Sequence, residues 1–358
     1  MRRFDFGKGV LTVALCMIAG VSAAGAATLD TVKARGHLIC GVNPGLLGFA
    51  APDQSGKWAG FDVDFCRAVA AAIFSDPERT EYVPLSADER FGALKAGKVD
   101  ILSRNSTWTM GRETQLGLTF VGVTYYDGQG FMVARSANVS SALDLGGSKV
   151  CVQSGTTTEA NLADYFDANN MTYTKVTTAT PAETLTAYTD GRCDVVTSDS
   201  SQLYALRAKL AAPGDHLILP DVISKEPLGP VVRQGDDQWF NIVKWTHFAL
   251  LDAEEAGVTK ANVDEKRKQA QDDKTKGAAD ANYKPQVSPD IARLLGVDGT
   301  FGEGIGLSND WAYNVLKQMG NYGEVFDRNI GAGSKLQIAR GLNALWTKGG
   351  IQYAPPIR

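Results

Sequence analysis

The chain has 358 residues, 44% apolar and 21% charged, with a net charge of −4 and a pI near 5.5. This is the composition of an ordinary soluble globular protein, long enough for two domains. The acidic balance argues against a nucleic-acid partner, whose usual footprint is a basic face.

Residues 1–27 read as a secretory signal peptide: "MRRFDFGKG" carries Arg2, Arg3 and Lys8, the apolar run "VLTVALCMIAGV" follows, and "SAAGAA" supplies small residues for cleavage near Ala26 or Ala27. The apolar run is shorter than the roughly 20 residues a spanning helix needs. Cys16 stands behind Leu15 rather than a small residue, so it is not read as a lipid-attachment site. The mature chain is therefore expected to be soluble outside the cytoplasm.

The first predicted strand is "GHLICGVN" (36–43), followed by a helix over "GFDVDFCRAVAAAIF" (60–74), where Phe61, Phe65, Val69, Ala72 and Ile73 recur at helical spacing. A strand at 80–85, a helix at 87–98 and a strand at 99–103 complete a βαβαβ unit, which implies a mostly parallel sheet with helices on its faces. A second such unit runs over about 136–230, with strands in "KVCVQ", "MTYTKVTT" and "CDVVTS". Two extended stretches, "FVGVTYYDGQGFMVA" (120–134) and "EPLGPVVRQGD" (226–236), flank it. Two crossings around an inserted α/β unit describe two lobes on a double hinge. Residues 28–130 and 232–358 form the first lobe in this reading, and 131–231 the second. Helices are expected in 236–257 and 308–331, and the charged stretch 252–285 reads as a solvated helical insertion.

Beyond the leader four cysteines remain, Cys40, Cys66, Cys151 and Cys193. An even count in an oxidising compartment suggests two disulfides. Of three possible pairings, Cys40–Cys66 and Cys151–Cys193 are favoured, because each stays within one lobe. No CxxC spacing exists, and His37, His216 and His247 are scattered, so neither a metal nor another cofactor is expected.

Open α/β sheets bind ligands outside the carboxyl ends of their strands. Asn43, the stretch Ser103 to Thr107, the stretch Gln153 to Thr158, and Asp199 all fall at such ends. Thr156 with Glu159 has capping-box spacing, so a helix should start there; its N–H groups serve either as a capped end or as an anion site. Asp199 is either the cap of the next helix or the partner of an ammonium group. Arg112 is either a surface residue or a fork for a carboxylate, a geometry that lysine cannot reproduce. Together they complement a zwitterion, with the arginine and N–H donors at –COO⁻ and Asp199 at –NH₃⁺. Trp108 stands beside them as a candidate wall; Trp58, Leu46 and Phe49 are further candidates or plain core.

The stretches "GFDVDFCRAVA", "ALKAGKVDILSRNSTWTMGRE", "LTFVGVTYYDGQGFMV", "QSGTTTE", "CDVVTSDSS" and "GNYGEVFDRNIG" resemble, in order, the periplasmic amino-acid-binding proteins of ABC importers, and more closely their general L-amino acid-binding branch. The resemblance implies a two-lobe clamshell with two hinge crossings and an extended C-terminal helical region. It implies a periplasmic, monomeric, non-enzymatic binder of free L-amino acids (glutamate, glutamine and aspartate among them) that hands its ligand to a membrane permease. It further implies that Arg112 binds the α-carboxylate, with Thr107 and Thr157 donating to it. Asn105 lends its carbonyl, and Asp199 its carboxylate, to the α-ammonium. Asn43 sits where relatives read the ligand side chain. Near Ser86 and Ala87, where many relatives carry a stacking ring, the side chains are small, which favours a permissive pocket. A dehydratase-type enzyme on the same fold and a sensor module for a receptor are the alternatives.

Overall fold

The computed structural model describes residues 27–358. The signal-peptide expectation falls outside these residues, apart from Ala27.

Two five-stranded sheets carry the fold. In the first, Thr80–Pro84, Leu38–Val42 and Ile101–Leu102 run parallel, followed by Val231–Arg233 and Leu118–Phe120, each antiparallel to its neighbour. In the second, Thr174–Thr178, Lys149–Gln153 and Val195–Asp199 are parallel, and Gln129–Ala134 and His216–Ile218 close the other edge antiparallel. The chain thus leaves the first sheet near residue 120, builds the second, and returns to the first at 231. The two extended crossings pair with each other: Tyr125–Asp127 lies antiparallel to Glu226–Leu228, with Tyr126 opposite Pro227. The double hinge is therefore a two-stranded ribbon.

The predicted helix at 60–74 is Phe61–Phe74. Its apolar residues are buried in the first-lobe core, and the chain leaves it through Ser75 in the left-handed region at φ 58°. Gly60 precedes it at φ 139°, where a Cβ would meet the Phe49 carbonyl oxygen at 2.1 Å, so no other residue fits that corner. The helix expected at 87–98 shortens to Arg90–Lys95, and the strand at 99–103 to Ile101–Leu102. The stretch 308–331 forms two helices, Trp311–Met319 and Tyr322–Asn329, split at Gly320; Asn321 and Glu324 make the capping box of the second. The charged stretch folds as Val263–Ala279, of which only Val263, Ala270 and Asp273 are buried. Cys40–Cys66 and Cys151–Cys193 are both bonded, the first between strand and helix of lobe one, the second within lobe two.

Candidate ligand-binding cleft

The sheets face each other across a narrow cleft whose cavity volume is about 20 Å³, far below the roughly 300 Å³ or more of a small-molecule site open to its ligand. One side is lined by Arg90, Arg104, Asn105, Thr107 and Arg112, and the other by Gln153, Thr156, Thr157, Thr158, Ser198, Asp199 and Gln202. The lobes touch around it. Thr107 Oγ1 and Thr157 Oγ1 lie 3.2 Å apart, Arg90 Nη2 donates to the Gly155 carbonyl at 3.4 Å, and Lys209 Nζ donates to the Gly45 carbonyl at 2.9 Å. This is a closed arrangement.

Asn105, Thr107 and Arg112 follow directly from the Ile101–Leu102 strand. Asn105 sits at φ 32°, a conformation asparagine tolerates better than most residues. Two buried groups hold it there. The Asp62 carboxylate accepts the Asn105 N–H at 2.9 Å, and Asn43 Nδ2 donates to Asn105 Oδ1 at 3.1 Å. Burial pushes the Asp62 carboxyl up to about 7, against the pull of the Asn105 N–H, Arg104 and Ser103. Arg112 Nη1 donates to the Thr107 carbonyl at 2.8 Å, and its guanidinium lies 5.1 Å from the Phe91 ring centre. Among the described residues it forms no ion pair. Burial draws it below its ordinary value, while Glu226 and Asp199 oppose that shift.

On the facing lobe the helix starts at the expected place, as Thr157–Ala168, but neither Thr156 nor Asp199 caps its helix through a side-chain bond. The Thr156 hydroxyl donates to the Gln153 carbonyl at 2.6 Å and bonds Thr158, and it accepts no N–H from the Thr157–Ala168 helix. Glu159 is drawn away to Lys175 at 2.8 Å. The capping box therefore does not form, and the N-terminal amides of that helix stay free of side-chain acceptors. Asp199 likewise does not cap Ser200–Arg207; the Ser201 N–H goes to Asp127 at 3.2 Å. Asp199 is 6% exposed, and its carboxylate accepts no hydrogen bond among the described residues. Burial, then Asp127 and Glu226, push it well above the usual carboxylate range, with Arg112 and Arg90 pulling it back.

The structure thus gathers Arg112, Thr107, Asn105, Thr157 and Asp199 at one cleft, and leaves Trp108 and Asn43 out of its lining. Trp108 is consumed elsewhere: its indole stacks on Phe120 at 5.6 Å and its Nε1 donates to Glu113 at 2.9 Å. Asn43 is 1% exposed and orders the loop, bonding Asn105 and accepting the Gly45 N–H. Leu46, Phe49 and Trp58 belong to the first-lobe core. Ser86 is engaged with Glu89, and the Ala87 carbonyl accepts from Arg90 at 2.7 Å.

Three residues went unnoticed in the sequence. Arg90 and Arg104 are 2% and 3% exposed, yet Arg90 Nε and Arg104 Nη2 have no protein partner among the described residues. Burial lowers both, helped at Arg90 by Arg104 and Arg112; at Arg104 Asp62 opposes it and Arg112 adds to it, and the group is brought to about 10. Glu226, on the hinge ribbon and 1% exposed, accepts from Thr107 Oγ1 at 2.5 Å, Thr157 Oγ1 at 2.8 Å, Asn161 Nδ2 at 2.7 Å and Ser224 Oγ at 2.7 Å. It therefore ties hydroxyls of both lobes to the crossing. Arg104 was adjacent to every feature that drew attention to 103–113, but a sequence does not distinguish a buried arginine from a surface one. The alternation of "KEPLG" gave no sign that Glu226 points inward.

Comparison with known proteins accords with this geometry. The General L-amino acid-binding periplasmic protein AapJ of Rhizobium johnstonii is 59% identical over 354 residues, covering 98% of this chain and 97% of that one. The Glutamate/glutamine/aspartate/asparagine-binding protein BztA of Rhodobacter capsulatus is 54% identical over 358 residues, covering both chains in full. A solved ABC transporter periplasmic binding protein from Brucella ovis, with glutathione bound, superposes with a TM-score of 0.86 at 54% identity, covering 93% of this chain and 100% of that one. A family model matches residues 38–257, and the helices and tail beyond 257 lie outside the matched span, as an addition to it. The chain belongs to the bacterial extracellular solute-binding proteins, family 3.

Proposed function

We propose that this protein captures free L-amino acids, acidic ones foremost, by closing its lobes around them, and delivers them to an ABC importer. The observation that carries the reading is the pairing of Arg112 and Asp199. They stand on opposite lobes of one cleft, and among the described residues neither has an ion pair of its own. An α-amino acid brings the missing partner for each: its carboxylate meets Arg112 and the free amides of the Thr157–Ala168 helix, and its ammonium meets Asp199 and the Asn105 carbonyl. Because these groups come from both lobes, ligand binds the closed form better than the open one and shifts the population toward it. The names of the relatives support the class of ligand, and the Brucella ovis structure, an ABC transporter periplasmic binding protein, supports delivery to a membrane permease.

The preference for acidic side chains rests on charge balance. The lining itself holds three arginines against one aspartate, with Glu226 and Asp62 standing behind it, and Arg90 Nε and Arg104 Nη2 have no protein partner among the described residues. A neutral zwitterion leaves that excess unchanged, whereas a second ligand carboxylate reduces it. The glutathione in the Brucella ovis relative favours one extension of this reading, since the glutamyl end of glutathione is itself an amino-acid head.

Isothermal titration with L-glutamate, L-aspartate, L-glutamine, L-asparagine and glutathione tests the proposal, with D-glutamate as control. Tight binding of L-glutamate and weaker binding of the amides is the expected order. No heat with any L-amino acid overturns it.

Closure itself can be probed at Gly155. A Cβ there would meet Asp88 Oδ1 across the cleft at 1.9 Å, and the backbone stands at φ 68°. Gly155→Ala is expected to weaken ligand affinity about tenfold, because the Cβ meets Asp88 only when the lobes are closed, while the left-handed backbone costs roughly 1–2 kcal/mol of stability in open and closed forms alike. The lost affinity should return in the double variant Gly155→Ala/Asp88→Ala, which removes the closed-state clash, while the loss of stability from the backbone strain remains. Titration of the pair against wild type separates the two.

A further inference from the structure

The crossing strand Tyr125–Asp127 is held on both of its edges. Glu226–Leu228 covers one edge. The other faces the C-terminal addition, where Asn343 uses its whole carboxamide on a single residue: the Tyr126 N–H donates to Asn343 Oδ1 at 2.7 Å, and Asn343 Nδ2 donates to the Tyr126 carbonyl at 3.0 Å. Tyr126 lies opposite Pro227, which has no N–H to offer the ribbon. Asn343 thus does the work of a third strand, one residue long. Just upstream, Tyr322 Oη donates to the Thr124 carbonyl at 2.8 Å, and Gln352 Nε2 reaches the Val123 and Thr124 carbonyls at 3.3 Å each. These side chains are 4%, 1% and 2% exposed. The clasp is in turn braced from the first lobe. Arg340 donates to the Asn343 carbonyl at 3.0 and 2.9 Å and pairs with Glu254 at 3.1 Å, while Phe326 stacks on Tyr125 at 6.1 Å.

We infer that Asn343, Gln352 and Tyr322 are positioning residues of the hinge: they fix residues 123–126 to the first lobe and confine the pivot to Gly128 and the facing Ser224–Glu226 stretch. A two-crossing hinge closes by changing φ and ψ at a few residues of its crossings. Residues bonded on both edges cannot take up that change. Gly128, the first residue past the clasp on this crossing without a side chain, is bonded among the described residues only to Asp127 beside it and to Ser200 of the second lobe, so it can turn with that lobe. The addition thereby sets which closed geometry is reached, and so the population competent to hold ligand, without touching the cleft. The inference rests on the closure reading above.

Hydrogen exchange and titration on Asn343→Ala test it. Wild-type Tyr126 amide should exchange slowly and the variant's quickly, with the amides of Leu38–Val42 protected alike in both. Affinities for L-glutamate, L-glutamine and L-aspartate should all fall by one common factor, about fivefold, because a smaller competent population scales every apparent Kd equally. A Tyr126 amide that stays protected, or affinities unchanged or shifted unequally among the three, overturns the inference. Should Asn343→Ala fail to fold, Asn343→Asp keeps the acceptor for Tyr126 N–H and loses the donor to its carbonyl, and the same common factor is required of it. Should wild-type protein bind none of the three, the ligand reading fails. The exchange of Tyr126, with small-angle scattering of the ligand-free variant against wild type, then still judges the clasp: faster exchange and a broadened distance distribution support it, and identical curves refute it.

Discussion

Arg112→Ala is expected to abolish high-affinity binding of every amino acid the protein takes, by roughly 3–5 kcal/mol, or more than a hundredfold in Kd. Most of that cost is the ligand carboxylate left buried without its counter-charge. The fold should survive the change. Arg112 makes no ion pair among the described residues, and the one hydrogen bond lost is to the Thr107 carbonyl. Arg112→Lys should fall between, because an ammonium restores the charge but neither the parallel pair of bonds nor the brace to Thr107. Calorimetry with L-glutamate and L-glutamine, alongside circular dichroism, measures both variants. Near-native affinity in folded Arg112→Ala places the carboxylate elsewhere and removes the basis of the reading.

The site was legible to the degree that topology alone dictates position. Strand ends at the carboxyl side of a parallel sheet are fixed by alternation of strands and helices, so Asn105, Thr107, Thr157 and Asp199 could be placed at one cleft before any contact was known. The division into lobes followed from two extended stretches that could not be helices. What escaped depended on where individual side chains turn. Trp108 sits between cleft residues in sequence, but its indole finds Phe120 and Glu113 on its own lobe, a choice made by packing and a hydrogen bond five residues away. Thr156 and Glu159 have the spacing of a capping box, yet a closer carbonyl and an oppositely charged lysine outcompete it. The C-terminal clasp was invisible for a different reason. Asn343 and Gln352 are polar residues in an irregular stretch without periodicity, and their partners lie more than 200 residues away in the chain.

Arg90 and Arg104 carry the second large effect. Replacing either with glutamine should cost L-glutamate and L-aspartate about 1.5–3 kcal/mol, the range for a hydrogen bond to a charged group, or roughly 10- to 100-fold in Kd. L-Glutamine should lose far less, so the preference between acid and amide narrows or reverses. The reason is that each guanidinium has a buried N–H without a protein partner: Arg90 Nε and Arg104 Nη2. Leaving such donors unsatisfied is costly, and a ligand side-chain oxygen that reaches them relieves the cost. Arg90 also sits among like charges, since the neighbours that lower it after burial are Arg104 and Arg112, whereas the strongest charged neighbour of Arg104 is the Asp62 carboxyl. Neutralising Arg90 should therefore hold or raise the melting temperature of the ligand-free protein even as acidic ligands weaken, which is the trade of stability for function seen at many sites. Thermal unfolding without ligand and titration with the acid and amide pair give the three numbers needed. Equal loss for glutamate and glutamine, accompanied by a drop in melting temperature, makes these arginines props of the loop at 85–90 rather than readers of the ligand, and the acidic preference falls with them.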